Sequence, residues 1–144
     1  MSRVFWDTNL FIYLFEDYGA LSKGVGQLRL KMLDRGDQLL TSILTLGEIL
    51  VKPTEGNDSE LYSELCRKYE HAISTAATII PFDVKAAKVY AALRSDRSLR
   101  APDAIQLACA ASANVDLFVT NDERLQGKQV DGIQFIVPLG RVPI

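Results

Sequence analysis

The sequence predicts an α/β fold in which a parallel sheet is covered by helices on both faces. Three observations lead there. Short apolar runs of strand character alternate with longer segments whose apolar residues recur at helical spacing. None of the apolar runs is long enough to span a membrane. The length, 144 residues, fits one domain, 1–144, large enough to bury a proper core.

The elements follow in order. Arg3 to Trp6 (RVFW) reads as a buried strand ending at Asp7. Thr8 to Asp17 is helical, with Leu10, Phe11, Leu14 and Phe15 at helical spacing and Asp7 or Thr8 as N-cap. Ser22 to Arg35 is a second helix with Leu28, Leu30 and Leu33 inside and Gly36 as its C-terminal stop. Gln38 to Thr41 is a second strand, and Ser42 to Val51 a third helix stopped by Pro53. Thr54 to Ser59 reads as a polar loop. Glu60 to Ala76 is a long helix with Leu61, Leu65, Tyr69 and Ile73 at fourth-residue spacing. Thr78 to Phe82 is a strand that Pro81 ends or confines to an edge. Asp83 caps a helix from Val84 to about Arg94, and Pro102 opens another that runs to about Ala113. Asp116 to Thr120 is a strand, Asp122 to Leu125 a helical turn, and Ile133 to Val137 a last strand. No repeat, low-complexity tract or domain linker interrupts this alternation.

Composition narrows the function. Charged residues make up 24% and the net charge is −2, so overall charge offers nucleic acid no attraction and only a local basic stripe would serve. The chain opens Met-Ser-Arg and runs directly into a strand, so no signal peptide is expected. Cys66 and Cys109 lie in helical patterns without a paired motif, as buried thiols of a reducing, cytoplasmic compartment would.

The candidate site is a set of four acids, each beside an apolar run: Asp7, Glu48, Asp103 and Asp122. A carboxylate in such a place is costly unless compensated. Asp7 follows the first strand and precedes a helix, where an aspartate either caps the helix or faces a ligand at the sheet edge. Glu48 lies among Ile43, Leu44, Leu46, Ile49, Leu50 and Val51 on a helix apolar nearly all round, which predicts burial and a paired or functional glutamate. Asp103 stands in the first turn of the helix opened by Pro102, where it also complements the helix dipole. Asp122 follows its strand as Asp7 follows the first, although Thr120, Asn121 and Asp122 also suit a simple turn. If the four meet, a divalent cation compensates them most simply, and oxygen ligands favour Mg²⁺ or Mn²⁺ over zinc.

The stretches VFWDTN (4–9), SILTLGEIL (42–50), APDAIQLACA (101–110) and LFVTND (117–122) together resemble the PIN-domain family, and within it the VapC-like toxin ribonucleases. The resemblance covers the chain nearly end to end. It implies a three-layer α/β/α sandwich on a central parallel sheet of about five strands. It implies a metal-dependent nuclease site in which Asp7, Glu48, Asp103 and Asp122 hold the metal, with Thr8, Asn9 and Thr120 as supporting polar residues. It further implies an RNA substrate, a homodimer and an inhibitory antitoxin partner.

On that reading one or two metal ions orient and deprotonate water and neutralise the scissile phosphate, leaving a 5′-phosphate and a 3′-hydroxyl. Asp7 and Asp103 are expected as principal ligands. Arg94, Arg97 and Arg100 before Asp103, and Arg124 after Asp122, form either a phosphate-binding rim or solvated helix ends. His71 has no second ligand at metal spacing and is expected on the surface. Gly24-Val25-Gly26 suggests a phosphate loop but follows no strand. Phe11, Leu14 and Phe15 form either core or a partner groove. Two alternatives stand beside the nuclease. A haloacid-dehalogenase-type phosphatase requires a second aspartate where this chain has Asn9, and a non-catalytic binding module would keep the fold as a scaffold.

Overall fold

The computed structural model describes residues 1–55 and 59–144. Five strands, β1 (Arg3–Trp6), β2 (Gln38–Ser42), β3 (Thr78–Ile80), β4 (Val115–Val119) and β5 (Ile133–Val137), form one sheet in the order β3-β2-β1-β4-β5, parallel throughout. Between them run α1 (Thr8–Phe15), α2 (Ala20–Arg35), α3 (Ile43–Thr54), α4 (Ser59–Ala76), α5 (Val84–Leu93), α6 (Ala101–Ser112) and α7 (Glu123–Gln126), and a 3₁₀ turn, Leu139–Arg141, follows β5.

Successive strand residues point to opposite faces, and each face has its own core. Val4, Trp6, Leu39, Leu117 and Val119 pack against Leu10, Phe11, Val25, Leu28, Met32, Ile49 and Ile73 from α1 to α4. Phe5, Leu40, Val115 and Phe118 pack against Ala86, Leu107, Cys109, Ala110 and Leu125 from α5, α6 and α7. This is the expected α/β/α sandwich. Phe5 and Phe118, neighbours in the β1–β4 register, stack at 5.0 Å, a pair worth about 0.5–1.5 kcal/mol beyond the area buried.

The central strand is β1, and the chain reverses its direction of winding there: β2 and β3 lie on one side, β4 and β5 on the other. At such a switch point a crevice opens beyond the carboxyl ends of the strands. Asp7 and the Thr120–Asp122 segment both follow directly from strands that flank it, β1 and β4.

Several boundaries differ from the sequence reading. Pro53 does not stop α3; it sits buried inside the last turn, which runs on to Thr54. A proline there forfeits one hydrogen bond to the preceding turn, and its burial on the core-facing side compensates. Thr54, assigned to a loop, therefore belongs to α3, and residues 56–58 of that loop lie outside the described residues. In α2 the inward positions are Val25, Leu28 and Met32, whereas Leu30 and Leu33 are 68% and 58% exposed. The inward stripe follows 3.6-residue spacing from Val25, and Leu30 and Leu33 fall off it. Leu61, assigned to the inward stripe of α4, is 57% exposed. Helix α3 is apolar nearly all round but not buried all round: Ile43, Gly47, Glu48 and Val51 face outward. Gly24 and Gly26 lie inside α2, so they form no phosphate loop. Cys109 is buried and Cys66 half-buried, both as free thiols.

Two local devices hold the sheet's amino-terminal edge. Asp37, its side chain shielded from water, accepts from the Ser2 backbone N–H at 2.6 Å and from Arg35 Nε at 2.8 Å. Gly132 (φ 97°) makes the turn into β5, and a Cβ there would run into the backbone carbonyl of Ala111. Replacing Gly132 with Ala combines a left-handed backbone penalty with a collision against an immobile carbonyl. The expected loss is about 2 kcal/mol or more, read as a drop of several degrees in the unfolding midpoint by circular dichroism. An unchanged midpoint would contradict this account of the turn.

Candidate active site

Asp7 is placed by β1 and held by three donors. Its own backbone N–H extends the β1–β4 ladder by donating to Val119 O at 3.1 Å. Its side chain caps α1, Oδ1 accepting from Thr8 N at 2.8 Å. The Thr120 hydroxyl donates to Oδ2 at 2.7 Å, and Gln106 Nε2 approaches Oδ1 at 3.3 Å. The cap reading of Asp7 therefore holds, and the cap stands directly at the carboxyl end of β1. Among the described residues it takes part in no ion pair. Loss of water pushes its carboxyl above the ordinary 3.8, against the hydrogen bonds from Thr120 and Thr8, and the charges of Asp103 and Glu48 push the same way.

The hydroxyl of Thr120 is fully buried and works in both directions. It accepts from Asp122 N at 3.0 Å while donating to Asp7, so the end of β4 is tied to the end of β1. Asp122 in turn caps α7.

A second chain of hydrogen bonds reaches Glu48. Gln106, 3% exposed on α6, accepts a short hydrogen bond from the Ser42 hydroxyl at Oε1. Its Nε2 donates to Thr8 Oγ1 at 2.9 Å and to Thr45 Oγ1 at 2.8 Å. With its oxygen accepting from Gln106, Thr8 sends its own proton to Glu48 Oε1 at 2.6 Å. Ser42 caps α3, the helix that carries Glu48. The amide of α6 thus fixes the orientation of a carboxylate on α3 and contacts Asp7 as well. Sequence reasoning missed Gln106, Ser42 and Thr45. The visible signal was a lone amide in the otherwise small and apolar run Ala104–Ala111.

Glu48 itself is exposed, contrary to the burial expected of it. It projects from the outward side of α3, and its tie to the site is the Thr8 hydroxyl rather than enclosure. The carboxamide oxygen of Asn9 is buried and has no hydrogen-bond partner among the described residues, an arrangement costing about 1–3 kcal/mol.

Asp103 stands half-buried in the first turn of α6. Burial raises its carboxyl above 3.8, Arg124 and Arg100 oppose that, and Asp122 adds to it. Asp122 lies below 3.8, chiefly because Arg124 hydrogen-bonds it. The four acids therefore share the carboxyl edge of the sheet and feel one another's charge. Asp7 feels the charges of Glu48 and Asp103, and Asp103 feels that of Asp122, yet among the described residues no three Asp, Glu, His or Cys side chains are placed to hold an ion together.

Of the four arginines, Arg124 and Arg100 face the acids. Arg94 instead bonds the Tyr90 hydroxyl at 3.0 Å and lies over its ring, and Arg97 is exposed in the connection between α5 and α6. His71 is exposed as expected. Beside the acidic edge an apolar groove of about 340 Å³ is lined by Ile12, Phe15, Ile49, Leu65 and Tyr69, with Glu48 at its margin. Phe11 is core, whereas Phe15 stacks on Tyr69 within this groove.

The comparisons with known proteins agree with this architecture. The PIN domain family model matches residues 4–130. Among solved structures, FitAcB from Neisseria gonorrhoeae has a TM-score of 0.74 at 18% identity, covering 96% of this chain and 99% of that one. VapBC2 from Rickettsia felis, bound to a DNA fragment from its promoter, has a TM-score of 0.71 at 16% identity, covering 94% and 97%. A toxin–antitoxin complex from Klebsiella pneumoniae has a TM-score of 0.64 at 25% identity, covering 90% and 94%. No curated protein sequence matches the chain.

Two substitutions test this electrostatic account. Because the folded pKa of Asp7 lies above its unfolded value, the native state binds more protons in that window. The resulting stability is fully present below pH 3.8 and is lost as pH rises through the folded value. Asp7→Asn, unfolded in EDTA at pH 7, is expected to unfold at a higher midpoint than the parent. A lower midpoint would refute it. Gln106→Leu leaves the Ser42 and Thr45 hydroxyls without their partner and is expected to lose about 1–3 kcal/mol in urea unfolding.

Proposed function

The chain belongs to the PIN domain family, and on that premise we propose that it is a metal-dependent endoribonuclease, the toxin of a toxin–antitoxin pair. The observation that carries this is Asp7. A carboxylate stripped of much of its water, with no cationic partner and with Asp103 and Glu48 raising its pKa further, is unfavourable as a purely structural group. It stands at the strand edge where parallel sheets bind ligands. The oxygens around it are those of carboxylates and threonine hydroxyls, with the Gln106 amide turned to present its nitrogen, and hard oxygen ligands of this kind suit a divalent cation such as Mg²⁺.

On this reading Asp7 and Asp103 hold Mg²⁺ or Mn²⁺, with Glu48 and Asp122 completing the set directly or through water. Bound there, the ion would supply a nucleophilic water and neutralise charge on the scissile phosphate. The chain's own residues do the rest. Thr120, Thr8 and Gln106 keep the Asp7 oxygens oriented without giving Asp7 a competing positive charge. Thr8 orients Glu48. Arg100, exposed at the head of α6, would bind the RNA backbone near the acids, with Arg94, Arg97 and Arg124 extending that rim. Of these, Arg94 is engaged with Tyr90, so it serves the rim only by leaving that ring.

The antitoxin partner rests on the relatives, several of which are toxin–antitoxin complexes. Its place on this chain would be the apolar groove between α1, α3 and α4, from which a basic side chain can extend past Glu48 toward the acids. A homodimer and a cytoplasmic setting belong to the same proposal. Among the described residues no helix is long and apolar enough to cross a membrane. The haloacid-dehalogenase alternative is set aside by the family, and by Asn9, which puts an amide where that chemistry requires an acid.

The test is incubation of the purified chain with total RNA, with Mg²⁺ and with EDTA, followed by mapping of the new ends. The expected products carry 5′-phosphates and 3′-hydroxyls, form only with the metal, and fall at least about a hundredfold in Asp7→Asn. Cleavage that survives EDTA, or an Asp7→Asn variant as active as the parent, would overturn the proposal. An inert parent that still binds a partner would favour the scaffold reading.

A further inference from the structure

The outer two of the four acids, Asp103 and Asp122, already share a cation. Arg124 Nη2 lies 2.6 Å from Asp122 Oδ2 and 3.5 Å from Asp103 Oδ2, while its Nε donates to Asp122 Oδ1 at 3.0 Å. Both oxygens of Asp122 and one of Asp103 are thereby engaged. The arrangement is built into the backbone. Asp122 caps α7 and Arg124 is the second residue of α7, its own N–H bonded to Asp122 Oδ1, so the turn that presents the acid also presents its counter-ion. The planar fork of a guanidinium suits a carboxylate in this two-point manner, which an ammonium cannot reproduce.

A carboxylate lone pair directed at a guanidinium is not directed at a metal ion. Asp103 and Asp122 lean on Arg124, whereas Asp7 is held by neutral donors alone, the Thr8 N–H among them. The arginine is also free to leave. Its side chain is 49% exposed, so release costs little desolvation and returns the charge to water.

We propose that Arg124 is an internal competitor of the divalent ion: guanidinium and metal exclude one another at Asp103 and Asp122, and Arg124 sets the ion concentration at which the site fills. This rests on the metal-dependent reading above. It makes Arg124 a determinant of metal affinity, a role separate from any contact with RNA.

The test needs no RNA. Mn²⁺ binding to the full chain is measured by isothermal titration and by the electron paramagnetic resonance signal of the free ion. The proteins are the parent, Arg124→Met, which keeps the apolar stem without the charge, and Arg124→Gln as a second neutral variant. Both neutral variants are expected to bind Mn²⁺ about three- to tenfold more tightly than the parent, with Arg124→Lys in between. In EDTA their thermal midpoints are expected to fall below the parent's, and the rise on adding Mn²⁺ to exceed the parent's. Equal or weaker Mn²⁺ binding by the folded neutral variants, with a parent that binds, would overturn the role of Arg124 alone. No Mn²⁺ binding by the parent and by every variant would instead overturn the metal-dependent function.

Discussion

The hydrogen bond from Thr120 to Asp7 joins the ends of the adjacent strands β1 and β4 at the carboxyl edge of the sheet. Everything at the crevice depends on it. β1 and β4 are adjacent, their Phe5 and Phe118 rings are stacked, and the ladder continues one residue beyond the strands through Asp7 N. The hydroxyl then converts a strand register into the position of a carboxylate. Because Thr120 also accepts from Asp122 N, the same atom places the turn that carries the last acid. A sheet edge of flexible loops could not hold charges this way. Here Asp7, Asp103 and Asp122 sit at strand ends or a helix first turn, where backbone geometry leaves a side chain little freedom, and Glu48, farther along α3, is held by the Thr8 hydroxyl.

The electrostatics of the edge are graded along its length. At the inner end Asp7 receives only neutral donors and is raised by lost water and by like charges. At the outer end Asp122 is lowered by its own neighbour, Arg124, and Asp103 lies between, pushed up by burial and down by two arginines. Such a gradient has a physical consequence. The inner acid is the one whose charge most needs an external cation, and the outer acid is the one that needs it least. Neutral hydrogen bonds orient a carboxylate without satisfying its charge, so the buried network of Gln106, Thr8, Thr45 and Ser42 can be rigid and still leave Asp7 electrostatically demanding. Elsewhere burial has the opposite, quieting effect: it pushes the Cys109 thiol up to about 11, leaving it protonated and inert.

Much of this was legible in the residues. β1 and β5 were bounded to the residue, and Asp83 and Gly36 act as the caps their chemistry indicates, because capping is a local property of one residue and the few amides and carbonyls next to it. The four acids could be picked out because a carboxylate beside an apolar run is conspicuous. What failed depended on which way a helix faces. Leu30 and Leu33 obey helical spacing relative to one another yet lie outside the α2 stripe, and α3 looked buried all round although its Glu48 side is open. Apolar content does not say how much of a helix the neighbouring layers cover. Gln106 was passed over for a related reason: a polar residue in a buried run has meaning only through partners from other elements, here Ser42 some 64 residues away in the chain.

The pairing of Asp122 with Arg124 shows where a motif and a mechanism part company. As a motif, an aspartate after a strand reads as a metal ligand, and an arginine two residues on reads as a phosphate contact. In space the two satisfy each other first, because their separation in one short helical turn is fixed and costs no chain ordering. Any ligand that recruits either residue, cation or phosphate, must compete with that intramolecular pair. The outer half of the site is therefore best understood as self-neutralised, and the inner half, around Asp7, as the part whose geometry the fold holds ready.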